Sequence, residues 1–273
     1  MPQISVLLPV HKANPAQLAL SMASVMLSES DDLELVVGLD GAAEPDLLDV
    51  LETIMASGAV PVRVLALPRR GLVGTLNALI DASDSRYIAR QDADDFSLPL
   101  RFTRQQQALA GDPSSSFCGT QICRCDPQLH AYRHQRRYPI SLRAQLAYAA
   151  LLNNPIAHPS LMLRRSALKE LRYSHVPGAE DWQLYVELWQ RGARSFNLGS
   201  TELLYRTHPN QITARQRDGA ILRQLQRDSL AAARSLGLAG GLELPHRLCQ
   251  KLRLSERLLR LRWRWRQGLA QAR

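Results

Sequence analysis

The chain has 273 residues, 45% hydrophobic and 22% charged, with 34 Lys+Arg against 25 Asp+Glu and a net charge of +9. These values suit one large globular domain, or a domain with an appendage, and exclude disordered, collagenous and low-complexity classes. The longest stretch free of full charges, 144–163, carries Asn153, Asn154, Pro155, His158 and Pro159 in its second half, so it is not the run of roughly 20 mostly apolar residues that spans a bilayer.

In chain order, residues 4–10 form a buried strand run, and Asn14-Pro15 supply an N-cap and an N1 proline for a helix to about residue 27. A second strand (33–39) leads to a second proline-started helix (45–55). A third strand (62–67), a third helix (72–82), a short fourth strand (87–90) and a helix over 99–110 closed by Gly111 follow. Strands alternating with helices predict a parallel sheet covered on its faces. Ligands in such sheets sit beyond the carboxyl ends of the strands, which here means 9–14, 40–41 and 91–95. Beyond residue 120 the alternation breaks down. The pattern predicts a strand at 117–124, a helix at 141–152, an extended run at 160–163 and a helix to 191 closed by Gly192. Two short strands (194–197 and 202–206), a helix over 218–236 capped by Gly237, a linker at 237–245 and a basic amphipathic helix over 246–267 complete it.

Charge is unevenly placed. Residues 246–273 hold nine basic and one acidic side chain, whereas 1–112 hold 8 and 15. The predicted terminal helix gathers leucines with Trp263 and Trp265 on a broad face and Arg253, Arg257, Arg260 and Arg264 opposite. That pattern suits an anionic membrane interface or docking on the core. Four cysteines are too few for a disulfide framework, and Cys118, Cys123 and Cys125 lack the paired spacing of a zinc site, so reduced structural thiols are expected. The N-terminus enters a strand without a basic leader, which predicts a cytoplasmic chain.

Asp92-Ala93-Asp94-Asp95 is the most informative string. Carboxylates this close repel unless a cation or solvent separates them. A short D-x-D turn suits Mg²⁺ or Mn²⁺ shared with substrate phosphates. A solvated acidic turn, or Asp95 capping the next helix, is the plainer alternative. Glu180-Asp181 opens a helix, where its dipole stabilises acids; a general base needs reach to a proton as well. His158 and His208 each stand beside a proline and a short strand, and a lone histidine is more often a hydrogen-bonded structural residue. Gly71-Leu72-Val73-Gly74 lacks the dinucleotide pattern, and neither a Walker sequence nor a Gly-x-Ser-x-Gly elbow occurs.

Taken together, these strings resemble family 2 glycosyltransferases of the bacterial polysaccharide-assembly type, which have the GT-A fold. The resemblance runs from Ile4 to about Thr213. It rests on the opening strand through His11, Leu39-Asp40-Gly41-Ala42, Gly71-Leu72 with Leu76-Asn77, and Tyr87 to Asp95 with Pro99 and Arg101. His158-Pro159-Ser160 through Arg165, Ala179-Glu180-Asp181-Trp182 and Leu204 to His208 complete the order. Departures are His11-Lys12 for Tyr-Asn, Leu39 for the first aspartate of the turn, and Arg69-Arg70 where Asn is common.

The resemblance implies an α/β GT-A fold with a mostly parallel sheet. The glycosyltransferase domain would cover 1–213, with a nucleotide half to about 112 and an acceptor half beyond, followed by a helical extension over 214–273. It implies an inverting, metal-dependent transferase moving a sugar from a nucleoside diphosphate sugar, UDP-linked by expectation, to a glycan or lipid-linked hydroxyl in cell-surface polysaccharide synthesis. Pro9, Val10 and His11 would line the nucleoside pocket, Asp40 would contact the base, and Asp92 would lie near ribose and metal. Asp94, with Asp92 and His208, would hold Mn²⁺ or Mg²⁺, and Asp181 would be the general base. Lys12, Arg206 and His208 are the cations placed to assist the leaving diphosphate. The expected location is the cytoplasm, with a peripheral membrane contact through 246–267. A nucleotidyltransferase should carry a Gly-rich basic loop after its first strand, which 9–14 lacks, and nucleic-acid binding would rest on the terminal arginines alone; no nucleic-acid partner is expected.

Overall fold

The structure is a computed structural model that describes residues 2–30, 32–208 and 218–252. The first half alternates β1 (Ile4–Val10), α1 (Pro15–Met26), β2 (Leu33–Asp40), α2 (Pro45–Ser57), β3 (Val62–Leu67), α3 (Gly71–Asp81) and β4 (Tyr87–Arg90). Proline fixes the first turn of α1 and α2; Asn14 also accepts the Gln17 N–H at 3.1 Å, and α2 ends on Gly58 at φ 63. Then come β5 (Phe96–Ser97), α4 (Arg101–Gly111), β6 (Ser115–Cys125), α5 (Leu142–Leu151), β7 (Met162–Arg164), α6 (Arg165–Leu168), α7 (Glu180–Gln190), β8 (Arg194–Arg206), α8 (Gly219–Ser235) and α9 (Glu243–Leu252).

One eight-stranded sheet runs β3-β2-β1-β4-β7-β6-β8-β5. The β3-β2-β1-β4 half is parallel throughout, β7 is antiparallel to both its neighbours, β6 runs parallel to β8, and β5 antiparallel to β8. Because successive residues of a strand face opposite sides, β1 feeds two cores. Leu7 joins Val36, Ile88, α3, α5, α7 and α8, while Val6 and Leu8 join Leu35, Val37, α1 and α4. Burial on both faces explains why these strands read as continuous apolar runs.

Three expectations are corrected. The strands predicted at 194–197 and 202–206 are one strand, β8. Between the pairs Gly119↔Asn197 and Gln121↔Thr201, β6 advances two residues and β8 four, so the Gly199-Ser200 stretch that resembles a turn is absorbed as a bulge. The predicted linker at 237–245 is a tight connection. Gly237 ends α8 at φ 70, Leu238, Ala239 and Leu242 pack on the core, and α9 begins at Glu243. Pro245 stands in the first turn of α9, where its missing N–H costs nothing. The terminal helix therefore starts three residues before His246, which is buried with Nδ1 2.8 Å from the Ala150 carbonyl. Its predicted continuation beyond Leu252, including Trp263 and Trp265, lies outside the described residues.

Candidate active site

The carboxyl ends of β1, β2 and β4 converge on one edge of the sheet. Pro9 and Val10 finish β1 beside Gly38 and Leu39 of β2. Lys12, at φ 48, turns the chain away, and His11 donates from Nδ1 to the Asp40 carbonyl at 3.0 Å. A cleft there is lined by Val10, His11, Lys12, Asp40, Glu44 and Leu47. The Asp40 carboxylate itself is buried. It accepts the Arg70 N–H at 2.6 Å and the Gly71 N–H at 3.1 Å, so it ties the end of β2 to the start of α3. Gly71, at φ 70, makes that approach possible.

The acidic turn follows β4. Asp92, Asp94 and Asp95 each offer a carboxylate oxygen, all within 4.8 Å of one another. Buried Arg90, two residues upstream, forms an ion pair with Asp92. His208 Nε2, at the end of the long β8 excursion, lies 3.1 Å from Asp94 Oδ2. Asp95 does not cap a helix: the chain continues into β5, and α4 begins only at Arg101. Instead Asp95 is fully buried and accepts the Arg206 N–H on Oδ1 at 3.0 Å, while its Oδ2 is buried with no hydrogen-bond partner among the described residues. Burial, reinforced by Asp92 and then Asp94, holds the Asp95 carboxyl well above the usual carboxylate range. Burial and Asp92 raise Asp94 as well, against a lowering by His208. Oxygen ligands, mutual repulsion and one orphaned buried oxygen form a donor set that fits a hard divalent cation.

Arg206 differs from the expectation that it assists a leaving group. It is buried, and its guanidinium donates to the carbonyls of Asp94 and Pro127, so it braces the acidic turn from behind. Arg101, also fully buried, donates to Gln91, Ser97 and the Arg90 carbonyl. Burial lowers its pKa to about 9.

On the acceptor side, Asp181 lies in the first turn of α7 and is buried. Its Oδ1 accepts the N–H of the next residue, Trp182, at 2.8 Å, and its Oδ2 accepts a hydrogen bond from Asn154; no side chain caps α7, whose N-cap is Ala179. His158 is the hydrogen-bonded structural histidine that its sequence context favours. It is held neutral by burial and, secondarily, by Arg90, with Nε2 2.9 Å from the Tyr173 hydroxyl. Asn77 exchanges two hydrogen bonds with the Tyr173 backbone, of 3.0 and 2.9 Å, pinning this segment to α3. Sequence reasoning missed Arg90, Asn154 and Tyr173. The available signal for Asn154 was a polar residue before a proline inside an otherwise uncharged stretch. Cys118, Cys123, Cys125 and Cys249 are all free, as expected, and burial pushes the Cys118 thiol up to about 12.

The family model described as "Glycosyl transferase family 2" matches residues 5–172. The amylovoran biosynthesis glycosyltransferase AmsE of Erwinia amylovora is 24% identical over 215 residues, covering 78% of this chain and 79% of its own. Among solved structures, S. aureus TarS 1–349 in complex with UDP-GlcNAc superposes with a TM-score of 0.67 at 13% identity, over 85% of this chain and 66% of that one. The mannosyltransferase PcManGT from Pyrobaculum calidifontis, in complex with GDP-Man and Mn²⁺, gives 0.62 at 16% identity over 97% and 87%. These likenesses establish the GT-A fold expected from the sequence.

Proposed function

The chain belongs to glycosyl transferase family 2, and from that premise we propose that it is an inverting, divalent-metal-dependent enzyme. It moves a sugar from a nucleoside diphosphate donor to a hydroxyl of a glycan or lipid-linked acceptor in cell-surface polysaccharide synthesis. The observation that carries the reading is the carboxylate cluster of Asp92, Asp94 and Asp95 at the carboxyl end of β4, beside the cleft at the end of β1 and β2.

In this reading Asp94, Asp92 and His208 hold Mn²⁺ or Mg²⁺, with Asp95 buried beneath the turn and tied to the Arg206 N–H. When bound, the cation supplies Lewis-acid stabilisation of charge developing on the diphosphate. Val10 and His11 line the nucleoside cleft, one step beyond Pro9 of β1, while Asp40 shapes it by fixing the Arg70-Gly71 turn. Lys12 is exposed at its mouth, free of the burial that removes Arg206 from this task. Asp181 takes the proton of the acceptor hydroxyl as that oxygen bonds to the anomeric carbon. Attack opposite the departing diphosphate inverts the anomeric centre. A UDP-sugar is the donor favoured by the family resemblance; the complexes with UDP-GlcNAc and GDP-Man frame the choice to be tested.

No described helix is long and apolar enough to cross a membrane. Exposed Leu244 and Leu248, one turn apart on α9 with Arg247 and Lys251 nearby, support a peripheral contact with an anionic surface at the cytoplasmic face. A panel of nucleoside diphosphate sugars tested by thermal shift with Mn²⁺, followed by NMR of the product's anomeric proton, tests the proposal. Stabilisation by one donor and an inverted product are expected; retention of configuration would overturn the mechanism.

A further inference from the structure

Asn154 lies in the uncharged stretch after α5 and is only 7% exposed. Its own loop fixes which end of its amide faces where. The side-chain Oδ1 accepts the Ile156 N–H at 3.2 Å across Pro155, so the NH₂ group is the end that meets Asp181 Oδ2. The loop is held from three further sides: Asn153 Oδ1 accepts the Asn154 N–H at 2.8 Å, Arg136 donates to the Asn154 carbonyl at 2.9 Å, and Asn197 donates to the Pro155 carbonyl at 3.0 Å. A buried donor anchored this way cannot swing away without breaking several bonds, each of which is costly to leave unmade inside a protein.

We infer that Asn154 is a positioning residue for Asp181, holding its carboxylate in one orientation while the acceptor hydroxyl is deprotonated. An amide NH₂ donates to a carboxylate and cannot take its proton. The inference rests on the reading of Asp181 as general base.

Asn154→Asp separates this role from a merely structural one. The aspartate keeps an oxygen for the Ile156 N–H, so a loop-holding role predicts near-normal turnover. As a positioning residue, the same change swaps a donor for a carboxylate facing Asp181, which disfavours the ionised base. Expected is a kcat about 100-fold lower, the scale of a misplaced catalytic group, with donor KM within about twofold of wild type and kcat below that of Asn154→Ala. Wild-type kcat in Asn154→Asp overturns the inference. Should Asn154→Asp fail to fold, Asn154→Ala with Asp181→Asn completes a double-mutant cycle. The double variant should then be no slower than Asp181→Asn alone, and additive losses overturn the inference. Undiminished turnover in Asp181→Asn overturns the base reading and this inference together. Loss in Asp181→Asn with a normal Asn154→Asp overturns only the role of Asn154.

Discussion

His208 Nε2 lies 3.1 Å from Asp94 Oδ2, across 114 residues of chain. The segment leaving β8 therefore folds back over the turn that leaves β4. If both groups hold one cation, His208→Ala should raise the Mn²⁺ concentration needed for half-maximal activity by about 10–100-fold, the usual cost of losing a group that orients a metal site. A metal titration of turnover checks this, and an unchanged midpoint would leave His208 a partner of Asp94 without a metal role.

Asp181→Asn should retain donor binding and lose about 2–4 powers of ten in transfer rate, the range expected for a general base. Glu180→Gln should do less, since Glu180 is only half-buried at the first position of α7. Single-turnover rates measured beside donor affinity distinguish this outcome from helix capping, in which both variants lose a little stability and neither loses turnover.

Much of the fold was legible because its signals are local. Apolar runs such as Val6 to Leu8 and prolines at positions 15 and 45 each act within a few residues. β8 was not legible as one strand. Gly199-Ser200 has turn composition, and what keeps it extended is a bulged register against β6. The site divides in the same way. Asp92, Asp94 and Asp95 announce themselves as a string, and so do Glu180 and Asp181. What each carboxylate touches depends on partners far along the chain: Arg206 for Asp95, separated by 111 residues, and Asn154 for Asp181, separated by 27. No periodicity carries that information.

His158 gives a pH prediction. Burial, then Arg90, depresses its pKa well below 6.5 in the folded state. A depressed basic group stays neutral in the fold while the unfolded chain takes up a proton, so its contribution to stability is present above pH 6.5 and is lost as pH falls below that value. The slope approaches about 1.4 kcal/mol per pH unit for one full proton. Asp94 and Asp95, whose pKa values are raised, act in the opposite sense, gaining stability as pH falls. Urea unfolding of wild type and His158→Asn between pH 7 and 5 isolates the histidine. The stability difference between the two proteins should shrink as the pH is lowered, and a constant difference would contradict a neutral, half-buried His158.

Gly119 is set by packing, with no positive φ involved. A Cβ added there would fall 2.3 Å from Asn197 Oδ1 and 2.6 Å from Ile156 Cγ2. Those two residues hold the Asn154 loop. Gly119→Ala should cost about 1–3 kcal/mol, the range for overpacking a core, and should lower kcat more than it alters donor KM. Thermal unfolding with steady-state kinetics checks both parts, and normal values for stability and kcat would show that the loop has room to shift.

Calorimetric binding of UDP and GDP, with and without Mn²⁺, to wild type and Asp94→Asn tests the central claim most directly. The account predicts that one nucleoside diphosphate binds wild type much more tightly with Mn²⁺, and that Asp94→Asn stays folded and loses this enhancement. Equal affinity with and without the cation in wild type, or full enhancement in Asp94→Asn, would contradict a nucleotide site built around the acidic turn after β4.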